Sequence, residues 1–132
     1  MIYLGFDTSN YTTSVACCGD VSLNIRKLLE VKKGERGLRQ SDALFQHIKS
    51  LPDLFRELSE KINMNDVKGI GVSVSPRSVN GSYMPVFIAG QSFAKVCADA
   101  LGVPIYTFSH QEGHIMAGIY SCGDYKLLEN HL

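Results

Sequence analysis

Two histidines near the carboxyl end of the sequence have a spacing that suits a metal ion. His110 and His114 lie in the run Ser-His-Gln-Glu-Gly-His, which begins at Ser109. If this run forms the first turn of a helix, the two imidazoles share one face and can bind one divalent cation. In the alternative interpretation, His110 caps the helix and His114 is an ordinary hydrogen-bonded histidine. Glu112 lies two residues from each histidine, so the order differs from the His-Glu-x-x-His motif of zinc proteases.

A second polar group lies near the amino terminus, directly after the apolar run at residues 2–6. It consists of Asp7, Thr8, Ser9 and Asn10. A turn of this composition can surround a phosphate with backbone amides, or orient a metal-bound water through the Asp7 carboxylate. The same residue types are also typical of a plain β-turn that uses side-chain oxygens as acceptors.

A third polar stretch, residues 75–82, follows a continuous apolar run at residues 67–74, which is typical of a strand covered on both faces. A helix is expected over about residues 82–101. Ligands of α/β sheets bind beyond the carboxyl ends of the strands, and the first amides of the following helix favour an anion. Arg77 would strengthen an anion site there, although many loops that open a helix bind nothing.

The remaining chain predicts the elements that would position these groups. Residues 2–6, 12–18 and 21–28 are predicted strands, and Gly19-Asp20 is a hairpin signal between the last two. An apolar stripe over residues 44–62 predicts a helix. For this helix we expect Ser41 as the cap, a kink or a break into two helices at Pro52, and a partly exposed His47.

A fifth strand is predicted at residues 105–108, and the histidine run would open a third helix. The predicted order is therefore β-β-β-α-β-α-β-α, with a five-stranded mixed sheet flanked by helices. This α/β order resembles the ribonuclease-H-like half of the actin, sugar-kinase and Hsp70 (ASKHA) superfamily.

Composition limits the classes of function. The 132 residues are 45% hydrophobic and 20% charged, which suits one soluble domain. Lys plus Arg equals Asp plus Glu at 13 each, so the whole chain has no field that would hold a nucleic acid. Residues 32–40 carry a local basic excess and are either a solvated loop or the contact for RNA or an acidic partner.

The sequence also predicts where the chain resides. No apolar run is long enough for a signal peptide or a membrane span, so we expect a cytoplasmic protein without membrane contact. The four cysteines lack Cys-x-x-Cys spacing, which favours reduced thiols.

Three stretches resemble one protein family. Residues 4–10 are similar to its Gly-Ile-Glu-Thr-Ser-Cys turn, residues 74–90 occupy the place of its glycine-proline loop, and residues 110–114 match its His-x-Glu-Gly-His motif. Residues 1–120 thus resemble the amino-terminal half of the glycoproteases, or O-sialoglycoprotein endopeptidases, whose bacterial members are the TsaD tRNA threonylcarbamoyltransferases. Ser75-Pro76-Arg77 replaces the family's Gly-Pro-Gly, which indicates a divergent paralogue.

The resemblance implies a reaction and a set of site residues. The family transfers a threonylcarbamoyl group from a carbamoyl-adenylate to an adenosine amine of tRNA, and other tRNA-modification proteins are expected partners. His110 and His114 would be two of three protein ligands to iron or zinc. We assign Asp7 as the catalytic residue. The substrate-binding residues would be Thr8, Ser9, Asn10 and Arg77.

The resemblance stops at Tyr120, so residues 121–132 are expected to be a tail at the junction to a missing second subdomain. That subdomain would supply the third metal ligand. We therefore expect this chain to be inactive alone, to bind metal weakly and to contact tRNA only within a complete protein or complex. An exposed face at the junction would favour a homodimer. The alternative is a noncatalytic member of the same fold that binds a nucleotide or a partner protein.

Overall fold

A computed structural model describes residues 1–9, 11–31, 39–75 and 85–109. Its elements in chain order are β1 (Ile2–Asp7), β2 (Thr12–Gly19), β3 (Leu23–Leu28), α1 (Gln40–Ser59), β4 (Val67–Ser75), α2 (Phe87–Leu101) and β5 (Ile105–Ser109), with a single 3-10 turn at Met64–Asp66. The predicted order of strands and helices is confirmed as far as β5. The third helix, expected from His110 onward, lies outside the described residues.

The strands form one mixed sheet in the order β3-β2-β1-β4-β5. β1 pairs antiparallel with β2, which pairs antiparallel with β3. β4 lies parallel to both β1 and β5. The carboxyl ends of β1, β4 and β5 therefore meet at one side of the sheet, which we term the carboxyl edge.

Both helices pack on the same face of the sheet, the one on which alternate apolar side chains of β1 lie. Ile2, Leu4 and Phe6 are buried on this face, as the period of two in a strand requires. Phe6 contacts Phe55 of α1 and Phe93 of α2, with ring centroids 6.2 and 5.4 Å away. Such tilted aromatic pairs add about 0.5–1.5 kcal/mol beyond the burial of their surface.

The helix boundaries correct several expectations. α1 begins at Gln40 with Arg39 at its cap position and no side-chain cap bond, so the prediction of Ser41 as the cap is wrong. α1 also runs unbroken through Pro52, and the predicted division into two helices is wrong. The carbonyl that loses its donor belongs to Ile48, and both Ile48 and Pro52 are exposed, so the missing bond lies on the outer side of α1.

The second helix begins later than the sequence predicts. Pro85 and Val86 form a turn, and α2 starts at Phe87. Its predicted end at Leu101 is confirmed. The helix ends there because Gly102 adopts a left-handed conformation, with φ of 67°. Neither of these two helices is long and apolar enough to cross a bilayer.

Candidate functional site

The first polar group lies at the carboxyl edge, where β1 ends. Asp7 is the last residue of β1, and residues 7–9, which we term the β1 turn, begin the connection to β2. The backbone N–H of Ser9 donates to the Asp7 carboxylate at 2.8 Å. The N–H of Thr12 donates to the Ser9 carbonyl at 3.3 Å. The turn is thus held by the Asx chemistry that its composition predicts.

Thr8 connects the β1 turn to α2. Its side chain is fully buried, and its hydroxyl donates to the Val86 carbonyl at 2.8 Å. The same oxygen accepts a hydrogen bond from the Gly90 N–H at 3.1 Å. The β1 turn and the beginning of α2 are therefore joined by two hydrogen bonds through one side chain.

The close approach at Gly90 depends on the absence of a side chain. A Cβ atom at this position would lie 3.0 Å from Thr8 Oγ1 and 3.3 Å from Thr8 Cγ2. A glycine in a helix interior costs about 1 kcal/mol relative to alanine. Here it leaves room for the Thr8 hydroxyl against the helix backbone.

The strands that precede the other two polar groups in the sequence end at the same edge. Ser75, the last residue of β4, pairs with Ser109, the last residue of β5. Residues 76 and 110 follow these strand ends directly in the sequence. Asp7, Thr8 and Ser9 are thus brought together at the carboxyl edge. Four predicted site residues lie outside the described residues: Asn10, Arg77, His110 and His114.

The described part of the chain contains no group of three or more His, Cys, Asp or Glu side chains that could hold a metal ion. The predicted histidine ligands lie outside that part, so their assignment stays a prediction. The catalytic role of Asp7 and the substrate-binding roles of Thr8 and Ser9 are likewise predictions about residues whose placement is now known.

A buried polar pair was missed by sequence reasoning. His47 of α1 and Thr13 of β2 are both 0% exposed, and the distance from Thr13 Oγ1 to His47 Nδ1 is 2.7 Å. The expectation that His47 is partly exposed is therefore wrong. Ala43, His47 and Leu51 are spaced by four residues and are all buried. This spacing is the signal that would have placed His47 on the inner face of α1.

The cysteines in the described ranges are free thiols: Cys17, Cys18 and Cys97. This agrees with the prediction of reduced thiols. Burial raises the pKa of the Cys17 thiol, and a backbone hydrogen bond with Leu23 opposes this effect. Burial also raises the pKa of Cys97. The two buried thiols therefore remain protonated near neutral pH and are poor nucleophiles and metal ligands.

Sequence comparison shows which protein family the chain resembles. The chain matches the family model of TsaD, tRNA N6-adenosine threonylcarbamoyltransferase, over residues 22–126. A protein of that name from Fusobacterium nucleatum is 33% identical over 123 residues, which cover 89% of this chain and 35% of that protein. Another from Fervidobacterium nodosum is 30% identical over 131 residues, which cover 96% of this chain and 37% of that protein.

Solved structures show the same fold. YeaZ from Pseudomonas aeruginosa superposes with a TM-score of 0.59 at 20% identity, over 83% of this chain and 43% of that chain. At this level of identity the likeness concerns the fold alone. The molecule is thus a ribonuclease-H-like α/β domain with a polar turn at the carboxyl edge of its parallel strands.

The family follows from the sequence matches. This chain belongs to the TsaD family of tRNA N6-adenosine threonylcarbamoyltransferases, since the family model covers most of its length. It spans 35% and 37% of the length of the two curated relatives described above.

Proposed function

We propose that this chain is the amino-terminal half of a metal-dependent transferase that moves a threonylcarbamoyl group from its adenylate to an adenosine amine of tRNA. The observation that carries the proposal is the match to the TsaD family over residues 22–126, a range that includes His110 and His114. The placement of the β1 turn at the carboxyl edge supports it, because ligands of such sheets bind at this side.

The β1 turn and the beginning of α2 form the proposed adenylate side of the site. The phosphate would lie near the β1 turn, where Ser9 and Asn10 would donate to its oxygens. Arg77, two residues after the end of β4 in the sequence, would add positive charge. Support for this arrangement comes from the two hydrogen bonds of Thr8, which hold the β1 turn against α2.

Asp7 is the proposed catalytic residue. In the reaction the adenosine nitrogen forms a bond to the carbamoyl carbon, the bond from this carbon to the phosphate oxygen breaks, and the amine loses a proton. The carboxylate of Asp7 is a hydrogen-bond acceptor at the end of β1 and would orient the attacking amine or a bound water. Its bond from the Ser9 N–H restricts how the carboxylate can turn.

His110 and His114 would hold iron or zinc. Two neutral imidazoles are suitable donors for either cation, and β5 brings the residue before His110 to the carboxyl edge. When bound, the cation would polarise the carbamoyl-adenylate and stabilise charge that develops on its oxygens. Catalytic zinc sites commonly use three protein ligands, so we propose that this chain binds metal weakly without its second half.

The second half and other tRNA-modification proteins would supply the tRNA contacts. The chain carries 13 basic and 13 acidic residues, so its net charge gives no general attraction to a polyanion. We therefore propose that the isolated chain neither binds tRNA strongly nor modifies it.

A chimera tests the proposal. This chain would replace the segment that it matches in the Fusobacterium nucleatum relative, 35% of that protein's length, and threonylcarbamoyladenosine in tRNA would be measured by mass spectrometry of nucleosides. We expect the chimera to be active, its His114→Ala variant to be inactive, and the chain alone to be inactive. Matching circular dichroism spectra of the chimera and the relative would control for folding.

If the chimera folds but is inactive while the relative is active, the transferase proposal is rejected. That outcome would favour a noncatalytic member that binds a nucleotide or a partner protein. The replacement of the family's Gly-Pro-Gly by Ser75-Pro76-Arg77 is the feature of this chain that favours that alternative.

A further inference from the structure

We propose that Thr8 is a positioning residue, whose hydroxyl fixes the β1 turn to the first turn of α2. This inference rests on the proposed function in one respect, namely that the β1 turn and α2 bind the adenylate. The joining of the two segments by Thr8 can be tested without that assumption.

The geometry shows where the hydroxyl acts. Val86 and Gly90 are four residues apart, so the carbonyl of Val86 and the N–H of Gly90 are the pair that closes a first α-helical turn. Thr8 Oγ1 donates to the former at 2.8 Å and accepts from the latter at 3.1 Å. A side chain from the end of β1 therefore bridges the two groups at the beginning of α2.

The local surroundings make this bridge depend on a hydroxyl at position 8 and a glycine at position 90. Val86 occupies the cap position of α2 and makes no side-chain cap bond. Val86 and Phe87 are each 1% exposed and belong to a small buried cluster with Leu29 and Ala43. A water molecule therefore has poor access to replace the hydroxyl. Gly90 allows the close approach, since a Cβ there would lie 3.0 Å from Oγ1.

The bridge also holds the two residues next to Thr8 in place. Asp7 and Ser9 flank Thr8 in the chain, so the Asp7 carboxylate and the Ser9 N–H are held at a fixed distance from α2. The Thr8 side chain is 0% exposed, and its hydroxyl is engaged both as donor and as acceptor. Thr8 therefore influences a ligand through the placement of its neighbours.

Three variants of the full chain test the role of Thr8. Thr8→Val keeps the shape and removes the hydroxyl, whereas Thr8→Ser keeps the hydroxyl. Thr13→Val is the matched control, because Thr13 is also 0% exposed and its hydroxyl is also hydrogen-bonded, at 2.7 Å, but to His47 of α1. It removes a comparable buried bond that does not involve α2.

The first measurement is amide hydrogen exchange at Ser9 and Gly90, followed by NMR. Loss of one hydrogen bond corresponds to about a tenfold change in a local opening equilibrium. We expect exchange at both amides to accelerate about tenfold in Thr8→Val relative to Thr13→Val. Thr8→Ser should stay close to the unmodified chain. Equal rates in Thr8→Val and Thr13→Val would overturn the proposal.

The second measurement is a titration with AMP. If the β1 turn binds the adenylate, Thr8→Val should weaken AMP binding about tenfold, and Thr13→Val should leave it unchanged. If the unmodified chain does not bind AMP, the assignment of the adenylate site fails, while the exchange experiment still decides the role of Thr8. Should Thr8→Val not fold, Gly90→Ala provides the same test, because the added methyl displaces the hydroxyl.

Discussion

Replacing His47 by leucine removes the hydrogen bond from His47 of α1 to Thr13 of β2 and leaves an apolar side chain in the same buried position. His47 and its partner Thr13 are both 0% exposed and lie 2.7 Å apart at Nδ1 and Oγ1. A buried hydroxyl that loses its partner costs about 1–3 kcal/mol. We expect the free energy of unfolding of His47→Leu to fall by about that amount. Thr13→Val should cost a similar amount, because the imidazole then loses the same contact.

The double variant separates the hydrogen bond from ordinary packing. When both partners are replaced by apolar groups, the Thr13 hydroxyl and the His47 Nδ1 atom are removed together, so neither is left facing an apolar side chain at this contact. We therefore expect His47→Leu with Thr13→Val to be less destabilising than the sum of the single variants, by about 1–2 kcal/mol. This coupling is the quantity of interest, since it cancels changes in packing that each variant causes alone.

Urea denaturation followed by circular dichroism would measure all four proteins. Marginal stabilities of about 5–15 kcal/mol are typical of single domains, so losses of this size are measurable. A control pair is Thr107→Val and Lys49→Leu, both at exposed positions, for which we expect changes within about 0.5 kcal/mol. Additive effects of His47→Leu and Thr13→Val would refute the reasoning, because they would mean that the two side chains do not interact.

Three further predictions concern the helix contact, the buried thiols and the metal. Gly90→Ala should lower the free energy of unfolding, although glycine to alanine in a helix usually raises it by about 1 kcal/mol. The added Cβ would lie 3.0 Å from Thr8 Oγ1, so the hydroxyl must shift away from its two hydrogen-bond partners. A stabilised variant would contradict this, and Ser92→Ala is the control. Burial raises the pKa of Cys17 and Cys97 above the ordinary value of 9.0, so the unfolded chain loses these protons first. The contribution of these thiols to stability, measured by urea denaturation, should therefore be complete below that value and be lost as pH rises through it. Above that value stability should fall less steeply in Cys17→Ala with Cys97→Ala; identical pH profiles would contradict the role of the thiols. His114→Ala should abolish the zinc that the chain takes up in equilibrium dialysis, and His131→Ala should leave it unchanged; equal uptake by both would exclude His114 as a ligand.

Local patterns predicted the sheet well because its strands obey local rules. The apolar run at residues 2–6 predicted a strand, and β1 confirms it. Ile2, Leu4 and Phe6 are buried on one face of this strand, as a period of two requires. The Asx bond from Ser9 to Asp7 is equally local, since it spans two residues. The end of α2 was also predictable, because Gly102 tolerates the left-handed conformation that terminates a helix.

Contacts between distant segments were not predictable in the same way. The bond from Thr8 to Val86 spans 78 residues, and nothing in the local composition of either segment indicates it. The burial of His47 depends on Thr13 of β2, 34 residues earlier, which provides a partner for the imidazole. The unbroken helix through Pro52 likewise reflects packing of the buried residues on either side of it, which outweighs the loss of one backbone bond.

The most direct test of the proposed function is the amount of threonylcarbamoyladenosine formed by the chimera and by its Asp7→Asn variant. The control is Asp53→Asn, an exposed carboxylate on α1. If the β1 turn forms part of the active site, the chimera and the Asp53→Asn variant should modify tRNA, and the Asp7→Asn variant should be at least about a hundredfold slower. Equal rates for Asp7→Asn and Asp53→Asn, or no product from a folded chimera, would contradict the proposal.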